Sequence, residues 1–87
     1  MYTVYVLYSR RFNKIYIGQT ANLEKRLFEH NSGLSTYTKR YMPWEVIYTE
    51  EYATRHEALN REKQLKSQKG REFIWNYINR RVAGSIR

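Results

Sequence analysis

Dense, alternating apolar positions open the chain, a polar turn interrupts them, and helical spacing takes over further on. "YTVYVLYS" (2–9) is rich in β-branched and aromatic residues and predicts a strand. "RRFN" (10–13) is a polar turn and "KIYIG" (14–18) a second strand, so the two form a hairpin. A four-residue loop pairs residues whose numbers sum to 23, and a two-residue shift gives 21. Tyr5 then lies opposite Gly18 or Tyr16. Either register sets Tyr5 and Tyr16 side by side on one sheet face, because side chains alternate along a strand.

Asn22 is placed to cap a helix running to about residue 31, with Glu24 in the first turn where the helix dipole favours an anion. "SGLSTYTKRYMP" (32–43) reads as a long flexible loop closed by the only proline, and "WEVIYTEEY" (44–52) as the third strand. "TRHE" (54–57) is a capping box, Thr54 at the cap and Glu57 three residues on, opening a helix through "ALNREKQLKSQ". Gly70 predicts a break, and "REFIWNYINRRV" a last helix whose apolar face is Phe73, Ile74, Tyr77 and Ile78. The tail "AGSIR" is expected to fray. The order β-β-α-β-α-α predicts an α+β fold, a three-stranded antiparallel sheet flanked by helices.

Eighty-seven residues suit a single domain, here expected to span 1–87 with its core at about 2–78. Sixteen Lys and Arg against eight Asp and Glu give a net charge of +8. That excess points to a polyanion, nucleic acid before an anionic membrane surface. Nine tyrosines strengthen the first, because exposed rings stack on bases. With no cysteine, disulfides and thiolate metal sites are excluded. The apolar run at the N-terminus is too short to span a membrane and has no basic residue before it, so a cytoplasmic location is the expectation.

Glu62 is the most informative position. At about 100° per residue, with Leu59 as zero, Ala58 and Leu65 fall near −100° and −120° and Glu62 near −60°, inside the apolar stripe. A carboxylate there needs a cationic partner, a proton or a metal. On the preceding helix Leu23 and Leu27 define the buried side, and Arg26 and His30 share one flank of it as boundary residues. A guanidinium fork suits phosphate oxygens and an imidazole transfers protons. Gly18, just before that helix, leaves room for a backbone or phosphate to approach.

Taken together, these residues resemble the GIY-YIG nuclease domain, in its stand-alone, UPF0213-like form. "TVY" (3–5) stands where the GIY triplet does, "YIG" (16–18) matches the second triplet, and ten residues separate Tyr5 from Tyr16. "GQTANLEKRLFEHN" carries the Arg-x-x-x-His that follows in many members, and "ALNREKQLK" the helix with the glutamate. The resemblance implies an endonuclease that hydrolyses DNA phosphodiesters. Glu62 would be the single carboxylate ligand of a divalent ion, magnesium or manganese, whose other ligands are water and phosphate oxygens. Tyr5 would be the general base or its relay, with its ordinary pKa near 10 depressed by metal and arginine. Arg26 would stabilise charge on the phosphate, and Tyr16 and His30 would orient water and phosphate, with Gly18 making room. Asn76, at the edge of the last helix's apolar face, is the best match for an asparagine many members carry there. Thr3 departs from the glycine of GIY, which touches packing rather than chemistry.

Substrate form is read from the loop. "STYTKRYMPW" interleaves Lys39 and Arg40 with Tyr37, Tyr41 and Trp44, a pattern that suits single-stranded or branched DNA more than plain duplex. Tyr37 and Lys39 are its candidate contacts, while Trp44 is better suited to packing the third strand. Two other readings stay open. One is a metal-independent ribonuclease working by acid–base chemistry through a ribose 2′-OH. The other is a nucleic-acid-binding module without catalysis. Glu62, off the sheet and across from the tyrosines, favours the metal reading over the ribonuclease.

Overall fold

The hairpin forms from strands β1 (Tyr2–Ser9) and β2 (Lys14–Thr20), followed by helix α1 (Leu23–Asn31), strand β3 (Glu45–Tyr52), and helices α2 (Arg55–Lys66) and α3 (Gln68–Ile86). The structure is a computed structural model, describing the backbone of residues 1–86 and the side chains of residues 1–81. The sheet is antiparallel with strand order β2-β1-β3, so the α+β architecture is as the pattern predicts. The hairpin takes the register that sums to 23: Tyr5 faces Gly18, and Leu7 faces Tyr16. β1 runs unbroken through Thr3, which pairs with Thr20 on one side and Glu51 on the other, so the departure from glycine costs the strand nothing.

Alternation along β1 divides the interior in two. Val4, Val6 and Tyr8, with Ile17, pack against Ala58 and Leu65 of α2 and Ile74 and Ile78 of α3. Tyr5 and Leu7 point the other way, onto Trp44, Tyr16 and the half-buried Leu23 and Leu27 of α1. Each large apolar side chain buried this way stabilises the fold by roughly 1.5–3 kcal/mol. The helix starts follow the local chemistry. Asn22 accepts from the Lys25 amide at 3.1 Å, and Thr54 and Glu57 close their capping box.

Three expectations change in the helices. The α2–α3 break falls at Ser67, whose hydroxyl and amide bond back to the Gln64 carbonyl, and not at Gly70. Gly70 lies in the first turn of α3, where a Cβ would stand 2.2 Å from the Gln64 carbonyl oxygen and 2.5 Å from the Leu65 Cα. It is a point of close helix–helix approach. Phe73 is exposed, and half-buried Trp75 joins Ile74 and Ile78 instead. The backbone stays helical past Ala83 to Ile86, beyond the start of the expected frayed tail, and Arg87 lies outside the described residues.

The loop after α1 is not a free tether. It carries a 3-10 turn at Thr38–Tyr41, and Thr38 is buried. Asn31 brackets the Trp44 backbone, accepting from its amide at 2.6 Å and donating to its carbonyl at 2.9 Å. The Trp44 indole donates to the Thr38 carbonyl at 2.8 Å, which ties both ends of the segment together.

A second polar tie fixes α2 to the sheet. Arg61 holds Glu50 of β3 with Nε to Oε1 at 2.8 Å and Nη2 to Oε2 at 3.0 Å, while the hydroxyls of Tyr48 and Tyr52 donate to the same carboxylate. Burial alone would raise the Glu50 pKa. The Arg61 fork and the two hydroxyls outweigh it and hold it at about 2. No helix among the described residues is long and apolar enough to cross a membrane.

Candidate active site

The site forms on the α1 side of the sheet, around the Tyr5 phenol. Tyr5 is buried, 1% exposed, and lies over its cross-strand partner Gly18. A Cβ at residue 18 would stand 2.6 Å from the Tyr5 hydroxyl oxygen, so Gly18 makes room for Tyr5 itself rather than for an approaching phosphate. Tyr16 stacks on Tyr5 with ring centroids 6.4 Å apart and planes 26° apart, side by side as the alternation predicts.

His30 departs from its expected boundary position. Burial near a helix end usually falls to apolar residues, yet His30 is the buried residue of α1, with 0% exposure. Both ring nitrogens are engaged: Nε2 meets the Tyr5 hydroxyl at 3.2 Å and Nδ1 meets the Thr38 hydroxyl at 2.9 Å. The result is a buried chain, Tyr5–His30–Thr38, running from the sheet through α1 to the 3-10 turn. Nothing in a polar loop marks Thr38 as part of a site; only the tertiary placement of the turn shows it.

Electrostatics set the proton positions in this chain. Burial pushes the Tyr5 phenol up to about 12, and the neighbouring Arg26 guanidinium, pulling downward, does not overcome it. The expected depression of Tyr5 is therefore absent in the free protein. Burial also lowers His30 below its ordinary 6.5, and the Arg26 charge lowers it further. A neutral imidazole beside a protonated phenol follows. Arg26 itself bonds Glu29 through Nη1 at 2.9 Å, leaving two of its three nitrogens outside that pair. Glu29 raises the Arg26 pKa and keeps it charged.

Glu62 lies on α2, which packs on the opposite face of the sheet from Tyr5, and no hydrogen bond joins it to Tyr5, Arg26 or His30 among the described residues. Leu59, the reference for the expected stripe, is 40% exposed, and the buried stripe of α2 is Ala58 and Leu65. On a 100° wheel Glu62 lies about 40° to one side of Ala58, and Arg61 about 60° to the other. Arg61 turns to β3 and Glu62 to the opposite flank. The Glu62 side chain is 18% exposed, and its Oε2 accepts from Lys66 Nζ at 2.6 Å. Its charge acts on Tyr5, raising the phenol pKa. Lys66, one turn on, lines a cleft at the β2 edge with Tyr16, Tyr37 and Arg71.

The donor set decides which ions fit. Among the described residues no three His, Cys, Asp or Glu side chains gather to form a closed metal cage. A single half-buried carboxylate, once it lets go of Lys66, matches a hard ion that retains water and takes its remaining oxygens from a phosphate, as magnesium and manganese do. Glu62 fits that description.

Tyr37 lies on the rim, 49% exposed and 6.4 Å from the Tyr16 ring, while Lys39 is exposed on the 3-10 turn and does not line the cleft. Asn76 is exposed on α3, in a shallow groove with Gln68, Arg71, Glu72 and Trp75. That groove shares Arg71 with the β2-edge cleft, and no hydrogen bond joins Asn76 to Tyr5, His30 or Glu62 among the described residues.

Against this geometry, the GIY-YIG catalytic domain matches residues 1–78. The chain belongs to the GIY-YIG family, a family of nucleases. It is 38% identical to a UPF0213 protein of Natronomonas pharaonis over 65 residues, 74% of this chain and 75% of that one. A UPF0213 protein of Streptococcus pneumoniae is 39% identical over 67 residues, 76% of this chain and 67% of the relative. In three dimensions it is similar to the solution NMR structure of a UPF0213 protein from Bacillus halodurans. The TM-score is 0.52 at 26% identity, covering 87% of this chain and 84% of the other.

Proposed function

We propose that this chain is an endonuclease that hydrolyses DNA phosphodiesters with a divalent metal ion, leaning to single-stranded or branched DNA. The observation that carries the reading is the buried Tyr5 hydroxyl, bonded to a neutral His30 and flanked by the Arg26 charge. Glu62 would hold magnesium or manganese, which when bound supplies Lewis-acid stabilisation of the phosphate.

Each side chain then has a task. Tyr5 holds its proton in the free protein and passes it to His30 Nε2 when it activates the attacking water. Burial raises the Tyr5 phenol to about 12 and lowers His30 below its ordinary value, so proton transfer from one to the other is uphill in the free protein. Free protein therefore stays in the phenol–imidazole form, and the relay fires only when the bound complex narrows that gap. Thr38 accepts from Nδ1–H and so keeps the Nε2 lone pair toward Tyr5. Arg26 meets the charge that grows on the phosphate oxygens. Tyr16 backs the Tyr5 ring, and Gly18 lets the phenol reach its position. Tyr37 on the rim and Lys39 on the adjoining 3-10 turn suit unpaired bases and backbone, which supports the lean to single strands. Asn76 is retained as a substrate contact through the groove that adjoins the cleft.

His30 counts against the ribonuclease alternative. Both its ring nitrogens are engaged, by the Tyr5 and Thr38 hydroxyls, so direct contact with a ribose 2′-OH would have to break one of those bonds. The test is incubation with single-stranded DNA, duplex DNA, branched DNA and RNA, each with magnesium and with EDTA. Cleavage of DNA only with metal supports the reading. Cleavage of RNA in EDTA overturns it.

A further inference from the structure

Beyond the rim, the aromatic side chains continue outward in an unbroken series. Tyr16 leads to Tyr37 at 6.4 Å, Tyr37 to Tyr41 at 5.3 Å, and Tyr41 to Phe12 at 5.6 Å between ring centroids. The series starts beside Tyr5 and ends at the tip of the β1–β2 hairpin, where Phe12 is 41% exposed with no apolar partner but Tyr41 among its ring contacts. Cations line the same path. Lys14 Nζ lies 5.5 Å from the Tyr41 ring centre and the Arg11 guanidinium 5.4 Å from that of Phe12. Neither Arg11 nor Lys14 has an acidic partner among the described residues, whereas neighbouring Arg10 is paired with Glu45.

An exposed phenylalanine at a hairpin tip contributes little to a core. The rings meet tilted or edge-on, at 34°, 57° and 73°, so exposed Phe12 and Tyr37 supply ring surface for bases and the unpaired cations beside the series supply charge for the backbone, as an unpaired strand needs. Duplex bases are already stacked on one another and offer no such faces. The segment is also held in place, since Asn31 and Thr38 pin Trp44 and with it the base of the turn that carries Tyr41.

We infer that Phe12 and Tyr41, with Arg11 and Lys14, form a base-stacking subsite that holds single-stranded DNA as it leaves the cleft. It rests on the nuclease reading above for the direction of the strand, and it extends the substrate footprint well past Tyr37 and Lys39. The hairpin tip, which shares no hydrogen bond with Glu62 or His30 among the described residues, then sets affinity for single strands and leaves the chemistry alone.

The test is binding of fluorescein-labelled oligo(dT) in EDTA, read by anisotropy, beside a labelled duplex. Phe12→Ala should weaken oligo(dT) binding at least about fivefold, leave duplex binding unchanged, and leave the salt dependence unchanged. Phe12→Trp should restore it. Arg11→Gln and Lys14→Gln should each lower the slope of log K against log salt by roughly 0.7. Equal oligo(dT) affinity for wild type and Phe12→Ala overturns the subsite, as does an equal loss on duplex. Cleavage of the same oligonucleotide with magnesium is scored separately. Strong tip-dependent binding without cleavage keeps the subsite and removes the nuclease reading; cleavage with an indifferent tip does the reverse.

Discussion

Gly18 lies directly across the hairpin ladder from Tyr5, and a Cβ on it would stand 2.6 Å from the Tyr5 hydroxyl oxygen and 2.8 Å from the ring carbon that bears it. Backbone and side chain meet there because β2 has nothing to project at that point. The phenol lies flat over the strand, its hydroxyl meeting His30 at 3.2 Å. A glycine in a strand interior usually weakens it. Here it fixes where one hydroxyl goes.

Gly18→Ala therefore displaces the Tyr5 hydroxyl while leaving the backbone, which has ordinary strand geometry, intact. Cleavage should fall about 100-fold, the usual consequence of moving a reacting group by an ångström. Single-turnover rates beside an amide NMR spectrum check it. A native-like spectrum with full activity removes Gly18 from the account.

The chain Tyr5–His30–Thr38 predicts an acid limb. His30 titrates below 6.5 in the folded protein, so below pH 6.5 the unfolded chain binds more protons and stability falls as pH falls toward the folded value. Cleavage should decline on the same side, as the Nε2 lone pair is lost. Thr38→Val removes the acceptor for Nδ1–H and should cost about 10-fold or more in kcat, with the ¹⁵N spectrum of His30 showing mixed tautomers. Thr38→Ser should restore both. A single Nε2-acceptor tautomer persisting in Thr38→Val shows that Thr38 does not orient the ring.

The strands, the shared face of Tyr5 and Tyr16 and both helix caps were legible in the chain because each depends on neighbours in sequence. Alternation alone put Tyr5 and Tyr16 together, and the ladder then settled between two registers by the length of the turn. What stayed hidden depends on residues far apart. His30 looked like a boundary residue because the wheel cannot show that the 3-10 turn covers it with Thr38. Glu62 looked central because Leu59 was counted as core, while the helix leans onto Ala58 and Leu65 through the Arg61–Glu50 tie. Gly70 read as a helix break because close packing and chain reversal both favour glycine.

The Arg61–Glu50 tie gives a stability prediction. Glu50 has its pKa lowered to about 2, so the tie stabilises the fold above about pH 4.5 and is lost as pH falls through about 2. Glu50→Gln should cost about 2 kcal/mol at neutral pH, roughly 8–16 °C in Tm for a chain this size. The difference from wild type should shrink as pH approaches 2. Thermal melts from pH 7 to pH 2 measure it; a constant difference across that range contradicts the coupling.

Arg26 separates rate from affinity. Arg26→Lys keeps the charge and loses the planar fork, so cleavage should drop about 100-fold with DNA binding retained. Parallel loss of binding and cleavage makes Arg26 an affinity residue instead.

The proposal that Glu62 would hold a divalent ion stands or falls on one variant. Glu62→Gln keeps the shape of the side chain and removes the charge that would hold the ion. Cleavage of labelled single-stranded DNA is followed for wild type and variant, in magnesium and in EDTA, alongside Tm. The account predicts cleavage by wild type in magnesium alone, none by the variant in either condition, and a Tm for the variant close to wild type. Full cleavage by a folded Glu62→Gln, or by wild type in EDTA, contradicts it.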